Sequence, residues 1–398
     1  MKVLQINTVC GIRSTGRICT DIAEVLEKEG HKCKIAYGRE TVPEKHQKYA
    51  VRIGSDLNVK IDGVKTRLLD NAGFNSKSAT KKFLKWVKEY DPDIIHLHNL
   101  HGYYINIELL FKFLRDFGKP VVWTLHDCWA FTGHCSYFAA AGCYQWQTLC
   151  DKCHRKNVYP TSIFFNRAKR NFEKKRRLFC SIKNLTIVTP SEWLTGLVKQ
   201  SFLSNFPVVT VNNRIDINVF KKTESDFREK HNLEDKKILL GVASAWGKMK
   251  GLNDFIKLSE KVDESYKIVL VGLKEEQLPS VPENILSITR TNNVKELAEI
   301  YTAADLFLNL TYQDTYPTVN LEAQACGTPV ITYATGGSVE SVPEENVVPC
   351  GNLEILCKKI TEAEPYNKDI ETLLKKAESF DKNVSFRKYL EIYKQNHV

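Results

Sequence analysis

Short runs of aliphatic and β-branched residues alternate with longer amphipathic segments along the whole chain. A run of four to eight such residues predicts a buried strand, and apolar positions three or four residues apart predict a helix. In the first half, strands are predicted at 3–7, 34–37, 94–99, 121–126 and 186–190, and helices at about 15–29, 77–90 and 106–116.

The second half repeats this rhythm, and the repetition predicts the fold class. Alternation of strands and helices indicates α/β architecture, with parallel sheets covered on both faces. Two successive sets indicate two doubly wound, Rossmann-like domains, which bind ligands beyond the carboxyl ends of their strands. The second set comprises strands at 237–243, 267–271, 284–288, 306–310 and 330–333, and helices near 252–263, 294–303 and 318–326.

The strand pattern restarts after a polar turn at 211–216, which places the domain boundary there. We therefore predict a first domain over 1–212, with a cysteine-rich insertion at 128–160, and a second domain over 213–380. The remaining segment, 381–398, carries Phe386, Tyr389, Leu390 and Tyr393 at helical spacing. It either packs back on the first domain or forms the last helix of the second.

Composition narrows the class of protein. The 43% hydrophobic and 26% charged content is typical of a globular protein and excludes a mostly disordered one. No run approaches the roughly 18 apolar residues of a transmembrane helix, and the N-terminus resembles a strand rather than a signal peptide. A cytoplasmic protein is expected. Its net charge of +10 favours an anionic partner: nucleic acid, an anionic membrane or a phosphorylated substrate.

Two carboxylates with seven residues between them flank the start of a predicted helix. Asp314 follows the strand that ends near residue 310, and Glu322 lies in the early turns of the helix. Carboxylates suit sugar and ribose hydroxyls because each oxygen accepts hydrogen bonds. Alternatively, Asp314 is a turn residue and Glu322 part of a solvated helix face.

Together with Ala323 and the segment 327–330 (Gly-Thr-Pro-Val), these carboxylates resemble the signature of family-4-type retaining glycosyltransferases. The resemblance implies the GT-B fold, two Rossmann-like domains that face a central cleft. It implies that Asp314 holds sugar hydroxyls near the reacting carbon and that Glu322 holds the nucleotide ribose. The family usually has Glu at the first position, and the shorter Asp is expected to alter which sugar is accepted.

Three loops resemble the donor-binding segments of that family, although simple strand-to-helix turns would also explain their glycines. In the loop at 243–251, the resemblance assigns Lys250 to the leaving diphosphate, which gains negative charge as the glycosidic bond breaks. The family usually has Arg where this chain has Ala245, and Lys248 is hypothesised to replace it. The full set of donor-binding candidates is Gly11, Gly16, Lys248, Lys250, Gly251, Asp314, Glu322, Gly336, Gly337 and Ser338.

Histidines follow two predicted strands of the first domain. His126 resembles the active-site histidine that lies against the transferred sugar, whereas the alternative is a hydrogen-bonded core residue. His96, His98 and His101 are interpreted as lining the acceptor side of the cleft. The predicted catalytic set is therefore His126, Asp314 and Glu322, without a catalytic metal or cofactor.

Four cysteines in the insertion, Cys135, Cys143, Cys150 and Cys153, are separated by seven, six and two residues. Such spacing suits a structural zinc ion held by four thiolates. Buried free thiols and a redox role are the alternatives.

A strongly basic segment, 164–183, carries an apolar stripe of Phe165, Ala168, Phe172 and Phe179. Either it lies on an anionic membrane near a lipid-linked acceptor, peripheral to the inner face of the cell membrane, or it packs on the core with a solvated basic face. Its charges are Arg167, Lys169, Arg170, Lys174, Lys175, Arg176 and Arg177.

The resemblance implies a glycosyltransferase that moves a sugar, with retention, from a nucleotide-sugar donor to a polysaccharide or lipid-linked saccharide acceptor. A nucleotide-sugar epimerase or a phosphorylase of the same fold is the enzymatic alternative. A nucleic-acid-binding protein would use the basic segment, but it leaves the two carboxylates unexplained, and no nucleic-acid partner is expected.

Overall fold

The computed structural model describes residues 1–362 and 370–397. The chain forms two compact units, which we term the first and second domains: Met1–Asn212 with the segment that begins at Ser385, and Asn213–Val384. The second domain thus extends four residues beyond the predicted 380, and the last segment of the chain belongs to the first domain.

The first domain is built on a parallel sheet with the strand order β3-β2-β1-β4-β5-β6-β7. Its strands are β1 (Lys2–Asn7), β2 (Lys32–Tyr37), β3 (Ala50–Arg52), β4 (Ile94–Leu97), β5 (Val121–Thr124), β6 (Leu185–Thr189) and β7 (Val208–Thr210). Its helices up to residue 212 are α1 (Arg13–Lys28), α2 (Asp56–Leu69), α3 (Lys77–Tyr90), α4 (Ile107–Phe117), α5 (Ala168–Phe179) and α6 (Glu192–Lys199).

The second domain has a parallel sheet of order β10-β9-β8-β11-β12-β13. Its strands are β8 (Lys237–Val242), β9 (Tyr266–Val271), β10 (Ile285–Ile288), β11 (Leu306–Asn309), β12 (Val330–Tyr333) and β13 (Val347–Val348). Its helices are α7 (Phe227–His231), α8 (Leu252–Ser259), α9 (Val294–Ala303), α10 (Thr318–Ala325), α11 (Leu353–Glu362) and α12 (Ile370–Ala377).

Both sheets are buried on both faces. In β5, Val121 and Trp123 point into one apolar cluster and Val122 into another. In β11, Phe307 and Leu308 likewise enter separate clusters. This alternation follows from the two-residue repeat of a strand and explains why the strands are apolar throughout. The predicted fold class, two Rossmann-like α/β domains, is confirmed.

The final helix, α13 (Lys382–Asn396), packs on the sheet of the first domain. Phe386, Tyr389 and Tyr393 are buried in the same cluster as Val3 of β1 and Ile35 of β2. This contact places residues from the end of the chain against its first strand.

Several elements carry no sequence prediction, among them β3, β7, β13 and α2. The short edge strands present only two or three residues each, too few for a visible period. In the part of the chain that the structure describes, no helix is both long and apolar enough to cross a membrane.

Replacing Tyr393 with Phe should destabilise the first domain by about 1–3 kcal/mol, because it leaves a buried ring nitrogen without a partner. The Tyr393 hydroxyl lies 2.6 Å from Nδ1 of His96, which is fully buried. Urea unfolding measures the change. Tyr144→Phe, at a side chain that is 66% exposed, is the control. Equal stability of the two variants would contradict this account.

Candidate functional site

The strand order brings two particular loops together in each domain. In the first sheet β1 lies beside β4, and in the second β8 lies beside β11. At these positions the order of the strands reverses, and the loops beyond their carboxyl ends border a crevice in which doubly wound domains bind ligands. Five of the predicted site residues lie on these loops: Gly11, Lys248, Lys250, Gly251 and Asp314.

In the second domain, the loop after β8 contacts the loop after β11. Lys250 Nζ lies 2.8 Å from Asp314 Oδ2. The backbone N–H of Tyr312 donates to the carbonyl of Met249 at 2.9 Å. Two residues predicted on separate grounds, one for a diphosphate and one for a sugar, therefore form an ion pair at the strand reversal.

Gly251 permits this contact. Its φ is +75°, and a Cβ added there would lie 2.2 Å from the carbonyl oxygen of Leu310. A side chain would drive the two loops apart, so the glycine has a structural role. Lys248 lies in the same short turn and is exposed.

The loop after β12 closes on the same place. The N–H of Gly337, next to Gly336, donates to the carbonyl of Asp314 at 3.2 Å. Ser338 is buried, and its hydroxyl lies 2.6 Å from that of Thr332. The structure thus places Gly337 beside Asp314, while the Ser338 hydroxyl belongs to the interior of the domain.

A buried amide network that the sequence analysis missed supports these loops. Asn309, at the end of β11, donates to the side-chain oxygen of Asn320 at 2.8 Å. Asn320 in turn donates to the hydroxyls of Ser338 and Ser341. The available signal was an asparagine at the carboxyl end of a buried strand, where a polar side chain requires a partner.

Glu322 is buried, with 3% of its surface exposed, in the middle of α10. The Tyr301 hydroxyl donates to its Oε2 at 3.2 Å. The solvated helix face that was the alternative is therefore wrong for Glu322. Its role toward a ribose stays a prediction.

In the first domain, the loop after β1 is shaped by its glycines. Gly11 has a φ of +73°, its N–H donates to the carbonyl of Gly16 at 3.0 Å, and an added Cβ would approach the His46 ring to 2.7 Å. The N-cap of α1 is the apolar Ile12. The N–H groups of this helix end favour an anion.

The loop after β4 contacts this glycine loop. The Thr8 hydroxyl donates to the carbonyl of His101 at 2.7 Å, and the N–H of Asn99 donates to the Asn7 side chain at 3.3 Å. This pairing repeats the arrangement of the second domain.

His98 and His126 form a hydrogen-bonded pair whose proton positions follow from Gln5. The Gln5 amide N–H₂ donates to the carbonyl of Cys19 at 2.8 Å, so its oxygen faces His98 Nε2 at 3.0 Å and accepts a hydrogen bond from the N–H there. His98 Nδ1 must then accept, and His126 Nε2, at 3.0 Å, donates to it. The structure therefore assigns His126 the tautomer with its proton on Nε2.

Burial keeps this histidine group neutral. It lowers the pKa of His126 to about 4 and the pKa values of His96 and His98 well below the ordinary value. The interpretation of His96 as a cleft-lining residue is wrong, because it is fully buried between Thr124 and Tyr393. His126 is 8% exposed.

Asp127 and His101 form a second pair, which the sequence analysis did not predict. His101 Nε2 lies 2.7 Å from Asp127 Oδ2, and His101 Nδ1 lies 3.0 Å from the Tyr159 hydroxyl. Burial alone would raise the pKa of Asp127, but His101 and the N–H of Trp129 hold it below the ordinary value. The signal was an acidic residue directly after a histidine at a strand end.

The cysteine loop brings some of its thiols together. Cys153 lies close enough to Cys135 to raise the pKa of the Cys135 thiol, and a Cβ added at Gly133 would lie 2.8 Å from Cβ of Cys150. Over residues 1–362 and 370–397, no three or more His, Cys, Asp or Glu side chains are arranged to hold a metal ion. The zinc hypothesis for Cys135, Cys143, Cys150 and Cys153 stays a prediction.

The basic segment packs on the core. Phe172 and Phe179 of α5 are buried, while Phe165 lies before the helix and is exposed. Lys175 does not belong to the solvated basic face. It is buried, its Nζ donates to the carbonyls of Trp129 and Thr132, and burial lowers its pKa to about 7.

The stability of the first domain should fall as the pH drops from about 6.5 toward 4. The unfolded histidines take up protons near pH 6.5, whereas folded His126 does so only near 4. Each such histidine contributes up to about 1.4 kcal/mol per pH unit in this window. Urea unfolding at stepped pH measures the slope. It should be shallower for His126→Gln and unchanged for His397→Gln, and identical slopes for both variants would refute the assignment.

Comparisons with known proteins agree with this geometry. A 26% identical relative from Escherichia coli K12, named as a colanic acid biosynthesis glycosyl transferase, matches over 48% of this chain and 49% of its own. A Campylobacter jejuni relative, named as an N,N'-diacetylbacillosaminyl-diphospho-undecaprenol α-1,3-N-acetylgalactosaminyltransferase, is 23% identical over 58% and 59%. The chain thus spans about half the length of these relatives.

A solved structure of HepE from Anabaena in complex with UDP has the same fold, with a TM-score of 0.68 at 13% identity over 99% of this chain and 100% of that one. The model described as "Glycosyl transferases group 1" matches residues 223–389. The model described as "Glycosyltransferase Family 4" matches residues 15–219, just over half of the chain. The chain, with two Rossmann-like domains of the GT-B kind, belongs to glycosyltransferase family 4.

Proposed function

We propose that this protein is a retaining glycosyltransferase that moves a sugar from a nucleotide-sugar donor to a saccharide or lipid-linked saccharide acceptor. The observation that carries the proposal is the ion pair between Lys250 and Asp314 at the strand reversal of the second sheet. A cation for a diphosphate and a carboxylate for sugar hydroxyls lie together where such domains bind nucleotides.

In this proposal the second domain binds the donor. The diphosphate competes with Asp314 for Lys250, whose side chain is 40% exposed and therefore accessible. Lys248 adds a second positive charge from the same turn. Glu322, oriented by the Tyr301 hydroxyl, binds the ribose, and Asp314, freed from Lys250, accepts from the sugar hydroxyls. The role of His126 toward the transferred sugar rests on the family resemblance alone.

The chemistry proposed for these residues is electrostatic. As the bond to the sugar breaks, the leaving nucleoside diphosphate gains negative charge, and Lys250 stabilises that charge more strongly than it stabilises the intact donor. In this proposal Lys250 and Lys248 provide the positive charge that a divalent metal ion provides to a leaving diphosphate in other enzymes. Retention follows from the family resemblance, and no protein nucleophile is assigned.

The acceptor class is proposed from the relatives. One is named for colanic acid biosynthesis and the other for transfer to an undecaprenol-diphosphate-linked sugar. For this chain we propose a growing surface polysaccharide or its lipid-linked precursor as the acceptor.

Calorimetric titration with UDP-, GDP-, ADP- and CMP-sugars tests donor binding. We expect one donor base to bind, equally well with EDTA, and Lys250→Met to weaken binding roughly 10–100-fold because one charge-assisted hydrogen bond is lost. Glu322→Ala should weaken it similarly. The matched control, Lys295→Met on the exposed surface of α9, should bind like the parent. Full binding by Lys250→Met would refute the site.

We further propose that the cysteine loop holds a structural zinc ion through Cys135, Cys143, Cys150 and Cys153. The spacing of the four cysteines and the proximity of Cys135 to Cys153 support this proposal. Elemental analysis of the purified protein should find about one zinc per chain, reduced in Cys153→Ser. Cys180→Ser, outside the loop, is the control. If the purified protein is folded but contains no zinc, the zinc proposal is wrong and the cysteines are buried free thiols.

A further inference from the structure

We propose that the first domain binds an anionic membrane through an exposed apolar surface formed by α2 and residues 163–165, which we term the α2 face. Its members are Leu57, Ile61, Val64, Leu68, Ile163, Phe164 and Phe165. The proposal extends the proposed function, because a lipid-linked acceptor would lie at such a membrane. Only the biological purpose of membrane binding rests on the proposed function; the binding itself does not.

Helix α2 has an apolar side that faces solvent. Its apolar residues recur four, three and four positions apart and thus line one side of the helix, yet they are exposed. The exposed fractions are 65% for Leu57, 45% for Ile61, 55% for Val64 and 38% for Leu68. An ordinary surface helix turns this side toward the core.

The inner side of α2 carries buried polar residues beside Val59, which packs against the core. Asp62 is 1% exposed and Thr66 fully buried, and the Thr66 hydroxyl donates to Asp62 at 3.1 Å. Asn75 and Ser76 also donate to the Asp62 carboxylate. These bonds satisfy the buried carboxylate, and a rotation that brought the apolar side inward would break all of them at once. The exposure of the apolar side is thus built into the fold.

The segment 163–165 extends the same surface. The N–H of Ile163 donates to the carbonyl of Arg67 near the end of α2, at 2.7 Å. Ile163, Phe164 and Phe165 are 54%, 68% and 48% exposed. Three consecutive exposed apolar side chains are unusual on a surface that contacts only water.

Basic residues surround this apolar surface and select the kind of partner. A cavity of about 590 Å³ is lined by Ile61 and Lys65 of α2 and by Arg170 and Lys174 of α5, which places the two helices on one surface. Of the nearby acids, Asp56 and Glu108 are held in ion pairs, Asp62 is held by hydrogen bonds, and Glu173 of α5 is exposed. The exposed or half-exposed cations are more numerous: Lys60, Lys65 and Arg67 of α2, Arg167 at the N-cap of α5, and Lys169, Arg170, Lys174, Arg176 and Arg177 of α5.

An anionic bilayer fits this combination. Apolar side chains enter the boundary between head groups and acyl chains while lysines and arginines contact the lipid phosphates. A second copy of this chain would present the same positive charge and be repelled. The basic helix α5 takes part through its charges alone, because its own apolar stripe is buried.

Vesicle co-sedimentation tests the proposal with the full chain. We expect binding to vesicles of equimolar phosphatidylglycerol and phosphatidylcholine and little binding to phosphatidylcholine alone. The triple variant Leu57→Ser, Val64→Ser, Phe164→Ser should lose about tenfold or more in affinity. The control, Val294→Ser with Ile355→Ser, replaces exposed apolar residues of the second domain and should bind like the parent.

A second measurement places the contact. In Phe164→Trp, tryptophan emission should shift to shorter wavelength with anionic vesicles by more than in the parent. Undiminished vesicle binding by the triple variant would overturn the proposal. So would a parent protein that forms a dimer, does not bind vesicles, and becomes monomeric in the triple variant. Donor binding measured on the same triple variant should equal that of the parent. Failure of donor binding in the parent would refute the proposed function and leave the α2 face as it stands.

Discussion

In each domain, the candidate site depends on contact between the loop after one central strand and the loop after its reversed neighbour. In the second domain that contact is a backbone hydrogen bond from Tyr312 to Met249 and the ion pair of Lys250 with Asp314. It requires that Gly251 lack a side chain, since its backbone lies against Leu310. The strand order alone would bring the loops near each other, but the glycine lets them touch.

Buried polar groups hold the rest of the site in place. Asn309 and Asn320 tie the end of β11 to α10, and Asn320 reaches onward to Ser338. In the first domain, Gln5 and His98 perform the same task for His126. Such networks are rigid when every member is satisfied, because breaking one bond strands a polar group away from water. The loops around Lys250 are therefore held by rigid hydrogen-bond networks.

The sequence predicts much of this and misses what depends on orientation. The central strands follow from apolar runs, and the family resemblance identified Lys250 and Asp314 at their carboxyl ends, though not the ion pair between them. Lys175 was assigned to a solvated face because a charged residue amid charges gives no sign of burial. Helix α2 was missed although Leu57, Ile61, Val64 and Leu68 have helical spacing. Periodicity indicates that a helix has two sides, but not which side faces inward.

The return of the chain to the first domain at Ser385 has a consequence for its synthesis. Val3 and Ile35 belong to a core that also contains Phe386, Tyr389 and Tyr393. The ribosome synthesises one part of that core before the second domain and the other part after it. Domains generally fold as units, the N-terminal one first as the chain emerges. The first domain therefore cannot complete its core until α13 has left the exit tunnel of the ribosome. Until then, one apolar face of its sheet is incompletely covered.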